Sequence, residues 1–182
     1  MALLKAAREL FSSRGYRAVG TNEVVERAGV TRGALYHHFH EKKDLFRAVY
    51  EEVERELVEA TAAKVQGIDD PWDAVVSGIS AFFDACTDPA LRQIGLVDGP
   101  AVLGWAEWRE IGNRYVFGLV TFGLQNAMDA GVLRQVDVKQ MAHLLIGAMG
   151  EAAMVLANAD DPQAAREQVE SNLLILIEGL RT

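Results

Sequence analysis

Between positions 31 and 42 the sequence gathers Thr31, Arg32, Gly33, Tyr36, His37, His38, His40 and Lys42. An arginine fork can donate to O6 and N7 of one guanine, a contact worth about 1–3 kcal/mol of discrimination. A tyrosine hydroxyl and a lysine ammonium suit phosphate oxygens, which position a protein on a duplex without reading it. Gly33, beside Arg32, lets a helix backbone come close to a groove. The duller reading of Arg32 is a phosphate contact, and that of Tyr36 is a core aromatic. Leu35 and Phe39, four apart, already fill the inward face and leave Arg32, Gly33, Tyr36 and His37 outward. His37 and His40 are close enough on a helix to share a metal. A structural zinc site wants four ligands and no cysteine stands nearby, so contact with DNA or solvent is the favoured reading and no metal is expected.

The elements that must present these residues are short helices. Leu3, Ala7, Leu10 and Phe11 predict a helix over 2–14, with Gly15 as its left-handed cap. Thr21 stands as the N-cap of a second helix, whose buried side is Val24, Val25 and Ala28. Gly29 permits a tight turn, and Thr31 caps a third helix over 32–38. Two short helices joined by a glycine turn form the outline of a helix-turn-helix. From Lys42 to about Gly67, Leu45, Phe46, Val49, Tyr50, Val53 and Leu57 form an unbroken apolar stripe on a long connecting helix.

The charge is unevenly placed. The 182-residue chain carries a net −8, but residues 1–50 hold nine Lys/Arg against five acids, and residues 51–182 hold nine against twenty-one. A basic end on an acidic body directs a polyanion to one place and repels it elsewhere, which disfavours non-specific DNA packaging. No apolar run reaches the roughly 20 residues of a membrane span, because Gly, Glu and Asn interrupt the longest. No secretory leader is evident, and the single Cys86 reads as a small core residue suited to a reducing cytoplasm.

The remaining sequence is helical throughout. Asp70-Pro71, Asp88-Pro89 and Asp161-Pro162 each place a capping acid before a proline in the first turn. Stops are expected at Asp98-Gly99-Pro100 and Gly131, with a break at Gly112. The helix over 138–158 is rich in small residues, and the last helix repeats Val169, Leu173, Leu176 and Leu180 while being apolar nearly all round. Paired with their copies across a two-fold axis, these helices would make a four-helix dimer interface through Leu145, Ala148, Ala152, Val169, Leu173, Leu176 and Leu180. No phosphate loop, dinucleotide fingerprint, nucleophile elbow or metal-binding helix pair is found, so neither an enzyme nor a cofactor is expected. Gly118, Gly123, Gly147 and Gly150 sit within helical periods and read as packing positions.

Thr21, Val25, Ala28-Gly29-Val30, Gly33, Leu35-Tyr36, Phe39, Lys42 and Leu45, preceded by Leu10-Phe11 and Arg14-Gly15-Tyr16, resemble the TetR/AcrR family of transcriptional regulators. The stretch LVDGPAVLGWAEWREI is similar, more loosely, to the bodies of actinobacterial-type members. The resemblance implies an all-α fold: a three-helix helix-turn-helix DNA-binding domain over 1–46 and a helical effector-binding and dimerisation domain over 47–182. It implies a cytoplasmic homodimeric repressor of a pseudo-palindromic operator, released by a small effector. Thr21, Tyr36 and Lys42 match phosphate-contacting positions. Thr31, Arg32, Gly33 and His37 match base-facing ones, with His38 beside them. Glu41 departs from the small capping residue usual there, and the basic extension that often precedes the first helix is not seen ahead of Ala2.

The effector is expected to be largely apolar, with Phe82, Phe83, Trp105, Trp108, Phe122 and Met149 as candidate contacts. Asn126, His143 and Glu151 are polar groups in otherwise apolar helices; Asn126 and Glu151 join the candidates, and Glu151 can equally face a partner subunit or water. The alternative is a helical small-molecule binder or enzyme whose DNA motif is vestigial.

Overall fold

The computed structural model describes residues 2–182; Met1, with which the first expected domain opens, lies outside the described residues. The helices are α1 (Ala2–Ala18), α2 (Thr21–Ala28), α3 (Arg32–His38), α4 (Lys42–Val65), α5 (Pro71–Cys86), α6 (Pro89–Leu91), α7 (Gly99–Leu103), α8 (Trp105–Asp129), α9 (Val138–Ala157) and α10 (Pro162–Glu178), with a π-helix over Arg92–Asp98 between α6 and α7. Among the described residues extended pairing is confined to an isolated antiparallel bridge, Leu133 to Arg181. Two compact units form: Met1–Glu54 with Asp88–Ile111, and Arg55–Thr87 with Gly112–Thr182. The chain passes between them three times: within α4, between Thr87 and Asp88, and within α8.

In the first unit the apolar stripes read from sequence become one core. Leu3, Leu10, Phe11, Val24, Val25, Leu35, Leu45, Phe46 and Val49 are all buried. The rings of Phe11, Tyr16 and Phe46 meet pairwise at 5.2–5.6 Å, joining α1 to α4.

Gly15 does not end α1. Its φ of 76° and ψ of 158° break the helical geometry for one residue, after which the helix resumes to Ala18. Such a break frees backbone groups that need partners. The Tyr16 N–H donates to Asp98 Oδ2 at 2.7 Å, and the Tyr16 carbonyl accepts from Lys42 Nζ at 2.6 Å. Asp98 also accepts from Gln93 Nε2 at 3.0 Å. It is the buried charged side chain of the described residues, and its two donors offset its loss of water. Asp98-Gly99-Pro100 therefore does not stop the helical path. The π-helix runs through Asp98, Pro100 stands in the first turn of α7, and Gly104, at φ 86°, makes the break before α8. A Cβ on Gly99 would lie 2.7 Å from Trp108 Cδ1, so the glycine answers to packing.

Other expected boundaries shift by a residue. Gly20, in extended conformation, is the N-cap of α2, and Thr21 is its first residue. Glu41 has a partner in Asp44, whose Oδ2 accepts from the Glu41 N–H at 3.1 Å, the reciprocal half of a capping box. Gly112 does not interrupt α8, which needs no positive φ there.

In the second unit Asp70, Asp137 and Asp161 cap α5, α9 and α10 through their carboxylates. Arg166 on α10 binds Asp84 on α5 at 2.6 Å, Ser80 at 3.0 Å and Glu170 at 2.8 Å. By length and composition alone α9 is apolar enough to cross a membrane, though Gly147, Gly150 and Glu151 interrupt it as the sequence indicates. It packs on α5 and α10 and carries Glu151, the pattern of a core helix with a further face to cover.

Tyr50 and Glu54, one turn apart on α4, form a titratable pair. The buried Tyr50 hydroxyl donates to the Trp108 carbonyl at 3.3 Å. Loss of water pushes half-buried Glu54 up to about 7, partly offset by its bond to the Tyr50 hydroxyl. Burial first, then the Glu54 charge, pushes the Tyr50 hydroxyl above its ordinary value. Folded Glu54 holds its proton to higher pH than the unfolded chain does, so stability falls as pH rises from the ordinary glutamate value through about 7. Glu54→Gln should melt close to the wild type at about pH 5 and several degrees above it at about pH 8 by calorimetry. An equal difference at both pH values would contradict this.

Candidate nucleic-acid interface and cavity

Local chemistry builds the reading unit. Gly29 adopts the left-handed conformation (φ 66°, ψ 30°), and its N–H and that of Val30 close on carbonyls of the last turn of α2. The Thr31 hydroxyl then accepts from the Ala34 N–H at 3.2 Å and starts α3. Leu35 is buried, while Thr31, Arg32, Gly33, Tyr36, His37 and His38 are exposed together. Thr21, half-buried, bonds the Tyr36 hydroxyl; that bond first, and Arg32 second, holds the hydroxyl below its ordinary pKa. The Arg32 guanidinium lies 5.4 Å from the Tyr36 ring centroid, so stacking orients its fork. Among the described residues no group of three His, Cys, Asp or Glu is drawn close enough to hold a metal.

Several basic residues near this surface are already engaged. Arg27 pairs with Glu9 at 2.7 Å, Arg14 pairs with Glu23, and Lys43 and Arg47 both reach Glu107 at the start of α8. Arg47 first, then Lys43, holds Glu107 below the usual carboxylate range, against the effect of burial. Lys42, expected at phosphate, is tied to the α1 break: its ammonium lies 3.9 Å from the Tyr16 ring centroid and gives one of its three donors to the Tyr16 carbonyl. Burial there lowers its pKa, opposed by the charge of Asp98. Sequence reasoning gave neither Asp98 nor Glu107 a role: both fall in the stretch LVDGPAVLGWAEWREI, and the Asp-Gly-Pro run was read as a stop.

The second unit contains a cavity of about 760 Å³, walled by α4, α5, α8 and α9. This is the size of a pocket for a drug-sized molecule. Of the expected contacts, Phe82, Phe122, Asn126 and Met149 line it. Phe83 does not: it is fully buried and absent from the wall. Trp108 does not either, being packed in the first unit with its Nε1 donating to the Gly95 carbonyl at 2.8 Å, and the Trp105 ring lies against it, tilted by 44° at 4.9 Å between centroids. Glu151 is exposed on α9, and exposed His143 lies against the Phe117 ring. Sequence reasoning missed the α4 wall, which includes Leu57, Thr61 and Val65, with Gln66 just beyond the helix. The stripe on α4 was visible, but not that its second half borders a void.

A Cβ on Gly33 meets only the Thr31 hydroxyl oxygen, at 3.8 Å, so the unbound chain has room for alanine. Gly33→Ala should raise stability by about 0.5–1 kcal/mol in thermal unfolding and yet weaken DNA binding, because the added methyl faces the groove. Arg32→Ala should lose preference at one base pair, whereas Tyr36→Ala should weaken specific and random duplexes alike. Equal losses from Arg32→Ala on specific and random DNA would overturn base reading.

Comparison with known proteins gives a consistent answer for both parts of the chain. Residues 3–49 match the family described as bacterial regulatory proteins, tetR family, and residues 72–180 match the tetracyclin repressor-like C-terminal domain. The Transposon Tn10 TetC protein of Escherichia coli is 30% identical over 146 residues, covering 80% of this chain and 74% of that protein. A TetR-family transcriptional regulator of Pectobacterium atrosepticum, solved by crystallography, is 33% identical with a TM-score of 0.91, covering 99% of this chain and 92% of that one. The regulator FadR of Bacillus subtilis, solved in complex with stearoyl-CoA, shares the fold at 19% identity and a TM-score of 0.76, covering 100% and 99% of the two chains. With its helix-turn-helix exposed on α3 and its helical second unit, the chain belongs to the TetR family of DNA-binding transcriptional regulators.

Proposed function

We propose that the protein is a cytoplasmic homodimeric repressor of a pseudo-palindromic operator, released when a small, largely apolar molecule enters the cavity of the second unit. Residues 1–46 supply the DNA contacts, and residues 47–182 supply the effector and partner contacts. One observation carries the reading. The same helix, α4, begins at Lys42 beside the α1 break and ends in the residues that wall the cavity. Ligand and DNA then oppose each other through linkage: each selects the α4 position it binds better. The effector is bound and returned unchanged, without catalysis, and no membrane is involved.

The partner surface differs from the one drawn from sequence. Leu173, 4% exposed, and Leu145, which lines the cavity, are committed to their own chain. The 4-3-4 repeat placed a seam on α10 but not its phase. Leu176, 68% exposed, and Ile175 point away from the unit, as do Leu144 and Val155 on α9. Val169 falls near Leu176 at helical spacing, Leu180 lies in the turn after α10, and Ala148 and Ala152 fall near Leu144, where small side chains admit a close helix. Glu151 shares the Leu144–Val155 stripe, which fits a partner-facing role better than a ligand contact.

Selection from random duplex DNA should return two-fold-related half-sites; recovery of no preferred sequence would favour the vestigial-motif alternative. Leu144→Glu with Leu176→Glu should sediment as a folded monomer and lose the operator. Leu173→Ala should instead destabilise the fold by about 2–5 kcal/mol. A double variant that remains dimeric would contradict the assigned face.

A further inference from the structure

We infer that the cavity selects its effector by charge, admitting neutral and cationic amphiphiles and excluding anionic ones; the inference rests on the cavity being the effector site. Of the residues that line it, none is lysine or arginine, and two, Glu59 and Asp69, are acids. The wall is otherwise apolar, from Leu57, Ile79 and Phe82 to Met149, and its other polar groups are the neutral Thr61, Gln66 and Asn126. Thr61 is occupied, its hydroxyl donating to the Leu57 carbonyl at 2.8 Å.

Glu59, Gln66, Asp69 and Asn126 are all exposed and stand at the rim, where Phe122 is exposed with them, while Leu57, Ile79, Leu124, Leu145 and Met149 are buried. A ligand entering tail-first would leave its head among carboxylates. Arg55 pairs with Glu59 at 3.2 Å, an exposed pair that only partly offsets the acid. Asp69 has no ion pair among the described residues, and Asp70 and Asp73 follow it into the first turn of α5. Lys64, the other base in this half of α4, does not line the cavity. A carboxylate or phosphate head would meet repulsion with no lysine or arginine in the lining to compensate it, and burying its charge deeper is costlier still. A quaternary ammonium head meets attraction, and a hydroxyl head is indifferent.

The test is one tail with three heads: decyltrimethylammonium, decanol and decanoate at concentrations far below micelle formation, titrated calorimetrically into the full-length protein at low ionic strength. The expected order is ammonium tightest and decanoate weakest, with a gap between the charged pair of about 10-fold or more that narrows as salt rises. Glu59→Gln with Asp69→Asn should close most of that gap and leave decanol unchanged. If decanoate binds as tightly as the ammonium, or if the double variant keeps the gap, charge selection is wrong while the cavity stands as a binding site. If all three fail to bind, the effector reading of the cavity fails and the inference falls with it.

Discussion

The clasp around Tyr16 is the constraint on which the first unit depends. Gly15 breaks α1, and the two backbone groups of Tyr16 are taken by side chains from distant parts of the sequence: Asp98 on the N–H and Lys42 on the carbonyl. A buried aspartate is tolerable only with hydrogen-bond donors, and here Oδ2 accepts from the break itself and from Gln93. Gly99 lets the π-helix approach Trp108, whose indole is tied to the Gly95 carbonyl, so the backbone around Asp98 is held as firmly as its side chain. The ion pairs from Lys43 and Arg47 to Glu107 add a second tie from α4 to the start of α8. A segment far along the sequence thus becomes part of the unit that carries the reading helix.

What this frame presents is a small polar surface with its side chains already arranged. Thr31 caps α3, Thr21 fixes the Tyr36 hydroxyl, and Tyr36 carries the Arg32 guanidinium. Ordering these groups before contact lowers the entropy lost on binding. The basic excess of residues 1–50 is narrower in effect than its count suggests, since Arg14, Arg27, Lys42, Lys43 and Arg47 all have partners within the unit. On the proposed reading, specificity then falls on few residues, with Arg32 foremost.

The parts legible in the sequence are those whose signals are local. The Gly29 turn, the Thr31 cap, the inward Leu35 and the Asp-Pro starts of α5 and α10 each depend on neighbours within a turn or two, and each stands where expected. The parts that were not legible depend on tertiary partners. Nothing near Asp98 in sequence shows that its partner is Tyr16, and nothing near Lys42 shows that its ammonium turns inward. Trp108 looks like any aromatic on an amphipathic helix until Gly95 is seen to accept from it. The apolar faces of α10 were visible, but an all-round apolar helix has no phase in sequence; only packing separates Leu173 from Leu176. The cavity was half legible. Phe82, Phe122, Asn126 and Met149 were found, whereas the α4 wall was not, because a stripe that lines a void and one that fills a core read alike.

The account joins two sites through one helix, and linkage makes that claim measurable. Decyltrimethylammonium can be titrated into the free protein and into its complex with the selected operator, and the operator titrated with and without the amphiphile. The account predicts that each ligand weakens the other by the same factor, with coupling of about 1–3 kcal/mol. Amphiphile binding that is unchanged by the operator would contradict it, because α4 would then carry nothing from the cavity to the DNA-binding surface.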